Sequence, residues 1–245
     1  MYRQNNTTLH ELKNLIMADA VLVFAFSITF MHGIYGISSA NPGLATALGL
    51  SASSSPLLMF LYIIPIMFVG VTLSFIFHEL MHKYVAQHYG AIAGFRASST
   101  GLVITLATSL FGFLIGIPGA TIIYASSFTK RENGIVSIAG PLTNFIVFGI
   151  FLAIDIAFGA YLPSYFATLV TFTMFISILL AFFNMLPIYP LDGSKVLAWS
   201  KPVYFATLAV IFALMLITNM LPIYSIIFMI LMALIFSFIY RSMFF

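Results

Sequence analysis

Two histidines and a glutamate stand close together in the sequence His78-Glu79-Leu80-Met81-His82. On a helix, residues four apart lie on one face, so the two imidazoles can bind one ion while Glu79 projects beside them. Two histidines at this spacing are typical of a zinc site, and the carboxylate between them is placed to handle the proton of a water molecule. The pattern predicts a metal-dependent hydrolytic site.

This motif lies in strongly apolar sequence. The chain has 245 residues, of which 62% are hydrophobic and 6% are charged, and it contains 27 Phe. Such a composition indicates an integral membrane protein, and the long apolar segments without alternation predict helices and not a β-barrel. Ionisable residues inside a membrane span are costly, so their presence favours a functional role.

Six segments are long and apolar enough to cross a bilayer about 30 Å thick. We therefore predict an all-α polytopic membrane protein, and we expect it to lie in the cell membrane and to contact the lipid bilayer throughout. The predicted spans are at about residues 15–37, 57–89, 134–160, 165–186, 203–219 and 223–240, with a plain connector at about 41–56.

A third metal ligand is needed, because a catalytic zinc ion takes three protein ligands and one open position. The chain has no cysteine, so a carboxylate is expected. Pro187 and Pro190 cannot continue a helix, so the fourth span ends there, and Asp192 follows directly. Gly193 permits the tight backbone geometry that would turn the Asp192 carboxylate towards the two histidines.

The stretch between the second and third spans decides the topology. If Asp192 and the histidines bind one ion, the second and fourth spans end on the same side, so the intervening chain must enter and leave from one face. Glycines and Pro118 interrupt that stretch. We predict a re-entrant element at 97–128, extended around 117–121 and lining a wet cavity, where irregular backbone is tolerated.

The basic residues support six spans with both termini in the cytoplasm. In that topology every lysine and arginine falls on the cytoplasmic side, as the positive-inside rule requires. The net charge of +3 therefore indicates the orientation of the chain in the membrane and not a surface for nucleic acid. No nucleic acid is expected as a partner. These residues are Arg3, Lys13, Lys83, Arg96, Lys130, Arg131, Lys195, Lys201 and Arg241.

Three motifs together resemble the site-2 protease family of intramembrane zinc metalloproteases. They are His78-Glu79-x-x-His82, then Ala139-Gly140-Pro141-Leu142-Thr143-Asn144, and finally Asn184-x-x-Pro187-x-x-Pro190-Leu191-Asp192-Gly193. The order and spacing of all three agree with the family. One difference is the stretch 97–117, which is longer and more apolar than the short strand-forming insert expected there.

The resemblance implies a role for each residue. His78, His82 and Asp192 would bind one catalytic zinc ion, Glu79 would be the general base, and Asn144 and Asn184 would line the substrate cleft. The implied substrate is a transmembrane helix of another protein, cut within or near the membrane. We expect one membrane-embedded protease domain over residues 1–245, with its catalytic core at about 57–200. Nothing in the sequence specifies an oligomeric state.

Three other functions stay open at this point. The same cluster of His78, Glu79, His82 and Asp192 could form a proton or metal-ion path in a transporter, although no internal repeat relates two halves of the chain. The chain could be an inactive scaffold, although all four chemical residues are present. A membrane protease of the kind that trims prenylated proteins is disfavoured, because its third ligand is a glutamate and no later span contains one.

Overall fold

The computed structural model describes residues 8–33, 41–114, 116, 118–125 and 127–218. Within them the chain forms eight α-helices and one two-stranded antiparallel sheet. In chain order these are α1 (Leu9–Phe30), α2 (Pro42–Ala47), α3 (Pro56–His88), β1 (Ile92–Ala97), α4 (Ser99–Ser109), β2 (Gly119–Tyr124), α5 (Lys130–Phe158), α6 (Ser164–Asn184), α7 (Asp192–Trp199) and α8 (Lys201–Thr218).

Five of the described helices are long and apolar enough to cross a membrane, namely α1, α3, α5, α6 and α8. Each has a predicted span as its counterpart, and the chain is a mainly helical, multi-pass membrane protein, as the sequence predicts. The sixth predicted span, at about 223–240, lies outside the described residues, as do Arg3 and Arg241.

Two of these helices begin earlier than the sequence predicts, because side-chain caps draw polar residues into the first turn. Helix α1 starts at Leu9 and not near residue 15, since the Thr8 hydroxyl accepts a hydrogen bond of 3.2 Å from the Glu11 N–H. Helix α5 starts at Lys130 and not near residue 134, since Thr129 forms a capping box with its first turn. The predicted connector at about 41–56 likewise contains a short helix, α2.

Between α3 and α5 the chain forms a hairpin of two strands with a short helix at its tip. Strand β1 pairs with β2 from Ile92 opposite Tyr124 to Ala97 opposite Gly119. Strand β1 was not predicted. The re-entrant element therefore starts at Ile92 and not at residue 97. The segment 117–121 was predicted to be extended. Its residues 119–121 are in β2, and Ile117 lies outside the described residues.

The hairpin is re-entrant. Helix α4 has 11 residues, which is about 16 Å and too short to cross a bilayer. The residues Leu110 and Gly112, which follow the helix, pack against Gly33 in the turn that follows α1. The chain then returns, and the Ser98 N–H donates to the Pro118 carbonyl at 3.0 Å. The strands therefore enter and leave from the side where α3 ends and α5 begins.

Helix α3 lies at the centre and packs against α1, α5, α6 and both strands. One apolar cluster joins it to α1, β1 and α6, and a second joins α5, α6, α7 and α8. A polar contact also crosses between helices, where the hydroxyl groups of Ser74 and Ser177 lie 2.7 Å apart. Interhelical hydrogen bonds of this kind stabilise helix packing where lipid surrounds the protein.

Candidate metal centre

His78, His82 and Asp192 bring three ligand atoms to one point. The two histidine Nε2 atoms are 3.0 Å apart, and the Asp192 Oδ2 atom lies 3.4 Å from Nε2 of His78 and 3.1 Å from Nε2 of His82. All three side chains are buried. Among the described residues, this is the group of His and acidic side chains whose atoms converge closely enough to hold a metal ion.

The outer nitrogen of each imidazole is bound to an acceptor. His78 Nδ1 lies 2.7 Å from Oδ1 of Asn144, whose amide nitrogen donates to the Ser74 carbonyl at 3.4 Å. His82 Nδ1 lies 2.7 Å from the Val136 carbonyl oxygen. Both acceptors place the imidazole proton on Nδ1, which leaves each Nε2 with a free lone pair directed at the other ligand atoms.

These atoms fit a zinc ion. Tetrahedral ligands at about 2.0 to 2.1 Å from zinc are about 3.3 Å from one another, close to the three observed separations. Two imidazole lone pairs and a carboxylate oxygen repel one another at this distance unless a cation lies between them. Nitrogen and oxygen ligands from two histidines and one carboxylate are also a donor set that catalytic zinc uses.

The backbone of α5 passes very close to the cluster at Gly140. A Cβ atom on this residue would overlap Nε2 of His82 and would lie 2.6 Å from Nε2 of His78. Glycine is therefore required here for close approach of the helix to the imidazoles. The motif Gly140-Pro141 is thus part of the wall of the site, within a continuous helix that contains the proline.

Asp192 reaches the cluster because α6 ends and a second helix starts beside it. Helix α6 stops at Asn184, and Asp192 is the first residue of α7. A Cβ at Gly193 would overlap the Met185 carbonyl, so this glycine permits the end of α6 and the start of α7 to touch. Its role is close approach and not an unusual backbone conformation, which corrects the expectation from the sequence.

The surroundings keep Asp192 ionised. Burial raises the pKa of the Asp192 carboxyl, but the neighbouring His82, His78 and Lys195 together outweigh this effect, so the pKa lies well below its usual value. The amine of Lys195, one turn further along α7, lies 3.5 Å from the second carboxylate oxygen. Asp192 is therefore present as the carboxylate that a metal ligand must be.

Glu79 is half-buried next to the cluster and is held by the re-entrant sheet. Its Oε2 atom accepts a hydrogen bond of 3.0 Å from the Thr121 N–H and one of 2.8 Å from the Thr121 hydroxyl. The hydroxyl also lies 3.1 Å from the Glu79 carbonyl oxygen. Sequence reasoning did not single out Thr121, because the contact depends on how β2 docks on α3.

The two asparagines occupy different places. Asn144 is fully buried behind His78 and both of its polar side-chain atoms are engaged. Asn184 is half-buried at the last turn of α6, and its amide nitrogen donates to the Leu180 carbonyl at 3.0 Å. The structure thus places Asn144 next to a metal ligand, whereas Asn184 lies at the broken end of α6.

The chain is similar to proteins of a known peptidase family. The model of a family described as peptidase family M50 matches residues 152–200. A protein of Methanocaldococcus jannaschii, provisionally named a zinc metalloprotease, is 43% identical over 133 residues, which cover 54% of this chain and 69% of that protein. The chain belongs to peptidase family M50. The resemblance to the site-2 protease family seen in the sequence motifs is thereby confirmed.

Two further relatives agree with this assignment. A Bacillus subtilis protein, provisionally named a zinc metalloprotease, is 31% identical over 156 residues, covering 56% of this chain and 69% of the relative. Another M. jannaschii protein, named a zinc metalloprotease, is 26% identical over 132 residues, covering 54% of this chain and 33% of the relative. No solved structure matches the chain. As a member of the M50 family, the chain is a zinc metalloprotease.

Proposed function

We propose that this M50 protein is an intramembrane endopeptidase that cleaves a transmembrane helix of a substrate protein with one catalytic zinc ion. The observation that carries the proposal is the convergence of His78, His82 and Asp192 within 3.4 Å, in a chain built of membrane-spanning helices. Two of these ligands come from α3 itself, so the bond to be cut must come to the membrane-embedded part of the enzyme.

Each residue of the cluster has a part in this proposal. When bound, zinc would polarise the substrate carbonyl and make a water molecule acidic enough to lose a proton near neutral pH. Glu79 takes that proton and returns it to the leaving amine. Asn144 holds the His78 ring so that its Nε2 points inward, which is the usual task of a residue behind a metal-binding histidine.

The substrate must unwind locally before a peptide bond can be cut, because a helix has its carbonyl groups in internal hydrogen bonds. Asn184 stands at the point where α6 itself unwinds, and we assign it a contact with the extended substrate. Asn144 was expected to line the cleft with it, but its burial and its bond to His78 favour the positioning role instead.

We assign the chain to one membrane-embedded protease domain with the zinc site near the cytoplasmic face. The described lysines and arginines lie at one end of the molecule. They are in the first turns of α1 and α5, near the end of α3, in β1, in α7 and at the start of α8. From the positive-inside rule we infer that this end faces the cytoplasm, with the start of α1 on the same side. Water would then reach the site from the cytoplasmic end.

The test uses the purified chain in lipid vesicles with a model single-span membrane substrate, and zinc is measured on the same samples. Glu79→Gln is expected to keep its zinc while kcat falls by a factor of about 10² or more. Asp192→Ala is expected to lose zinc. Glu132→Gln is the matched control, because its carboxylate is exposed at the start of α5 and only caps that helix.

Two outcomes would contradict the proposal. Equal zinc content and equal cleavage in the wild type, Glu79→Gln and Asp192→Ala would remove Glu79 and Asp192 from the chemistry. Uptake of zinc into the vesicles without any cleavage of the substrate would instead favour a metal transporter.

A further inference from the structure

Thr121 is the one described residue that donates hydrogen bonds to the Glu79 carboxylate. Its N–H and its hydroxyl both donate to the same oxygen, Oε2, at 3.0 and 2.8 Å. Among the described residues none donates to Oε1. The two bonds therefore restrict rotation of the carboxylate and leave one oxygen free for the water molecule that Glu79 has to deprotonate.

The strand that carries Thr121 is fixed from its other side. Thr121 stands opposite Phe95 in the sheet, and the Phe95 N–H donates to Oε1 of Glu11 at 3.1 Å. In an antiparallel sheet, every second pair of opposed residues has no hydrogen bond between its members, and their N–H groups point away from the partner strand. Phe95 and Thr121 are such a pair, so the N–H of each can donate to a glutamate. The second oxygen of Glu11 accepts from the Lys83 amine at 2.7 Å.

The opposed residues Phe95 and Thr121 thus connect Glu11 on one side of the sheet to Glu79 on the other. Lys83 joins this chain of contacts through Glu11. Lys83 directly follows His82 on α3, and it is 1% exposed. The sheet is held between α1 on one edge and α3 on the other. Its position relative to the metal-binding helix is therefore set by charge-assisted hydrogen bonds, buried at Glu11 and part-buried at Glu79, which are stronger than neutral ones.

We propose that Thr121 is a positioning residue that orients the Glu79 carboxylate, so that the re-entrant sheet aligns the general base with the metal site. The proposal rests on the proposed function, because it takes Glu79 to be the proton acceptor. The side-chain and amide hydrogen bonds described for Thr121 all go to Glu79 and none goes to a metal ligand. Its effect on the reaction passes through Glu79.

The chain allows a test by matched variants. Thr121→Val removes the hydroxyl, keeps the backbone N–H and the shape of the side chain, and suits a strand. Thr121→Ser keeps the hydroxyl. Thr207→Val is the control, because the hydroxyl of Thr207, like that of Thr121, donates to a backbone carbonyl, at 2.8 Å, but Thr207 lies in α8.

We expect Thr121→Val to lower kcat about tenfold to a hundredfold, as small misplacements of a reacting group do. KM and zinc content are expected to stay within about twofold of wild type, because neither depends on the orientation of Glu79. Thr121→Ser should recover kcat to within about threefold, and Thr207→Val should match wild type. Full kcat in Thr121→Val, or equal losses in the Val and Ser variants, would overturn the proposal.

Hydrogen–deuterium exchange provides a readout that needs no catalysis. In Glu79→Ala the Thr121 amide should exchange at least about tenfold faster than in wild type, whereas the Phe95 amide, which donates to Glu11, should not change. An unchanged Thr121 amide would overturn the proposal. If the exchange result is as expected but wild type cleaves no membrane substrate, the contact stands and the proposed function has failed.

Discussion

Gly140 shows how the site depends on the size of a single side chain. Two of the three glycines in helix α5, Gly140 and Gly149, have opposite surroundings. A Cβ at Gly140 would overlap the ring nitrogens that face the metal, whereas a Cβ at Gly149 would meet nothing within 4 Å. Hydropathy and helical spacing do not separate the two glycines, but only Gly140 is needed for the site.

Gly140→Ala is therefore expected to weaken zinc binding at least about tenfold, because the imidazoles must move to make room for the methyl group. Gly149→Ala is expected to leave zinc binding unchanged and to stabilise the helix by about 0.5 to 1 kcal/mol. Zinc retained after dialysis against a competing chelator measures the first effect, and thermal unfolding of the same samples measures the second.

Equal zinc retention in the two variants would show that α5 can shift away from the histidines. In that case the close approach at Gly140 would have no part in holding the site, and the Gly140-Pro141 motif would serve helix packing alone.

At the scale of elements, Glu11 joins three of them. It lies in the first turn of α1, it binds Lys83 near the end of α3, and it accepts the N–H of Phe95 in β1. All three groups are withdrawn from water. Removing one partner of a buried ion pair leaves an unpaired buried charge, whereas replacing both partners by uncharged groups does not.

Lys83→Met is accordingly expected to lower the free energy of unfolding by about 3 to 5 kcal/mol. The double variant Glu11→Gln/Lys83→Met should recover most of this loss, because no charge is then left buried. Lys130→Met, which changes an exposed lysine at the start of α5, should have an effect of less than about 1 kcal/mol. Thermal unfolding in one detergent compares the four proteins.

If the double variant proved as unstable as Lys83→Met, the loss would come from the packing of the Lys83 side chain and not from an unpaired Glu11. The stabilising contact between α1 and α3 at this point would then be apolar in origin.

For the whole molecule, the distribution of basic residues and the fold point to one orientation. The contact of Glu11 with Lys83 places the start of α1 beside the end of α3, and the contact of His82 with Val136 places the start of α5 there too. The described basic side chains therefore gather at the end of the molecule that contains the metal centre. The other end carries the turns between α1 and α3 and between α5 and α6.

Single introduced cysteines test this orientation without interference, because the chain has none of its own. Ser127→Cys, next to α5, is expected to react with a membrane-impermeant thiol reagent only from the cytoplasmic side. Ser53→Cys and Tyr161→Cys, in the opposite turns, are expected to react only from outside. All three positions are exposed. Labelling of Ser127→Cys from outside would reverse the proposed topology.

Much of the architecture could be predicted, because apolar segments about twenty residues long have few alternatives in a membrane. The re-entrant hairpin followed from the requirement that Asp192 meet His78 and His82, and the structure shows chain that enters and leaves on one side. The starts of α1, α5 and α2 were missed although their caps are local, with Thr-x-x-Glu at the first two and Asn41-Pro42 at the third. Strand β1 is different, because its sequence is weakly patterned and its pairing with β2 decides its conformation.

The sequence by itself determined the class of protein, the candidate ligands and the membrane spans, because side-chain chemistry, helical spacing and hydropathy are local properties of the chain. Only the tertiary structure decided what surrounds these residues. Asn144 behind His78, Gly140 against both imidazoles, Thr121 on Glu79 and Glu11 on Lys83 each join residues at least 42 positions apart. Such contacts depend on how helices pack, and helix packing is set by the whole chain at once.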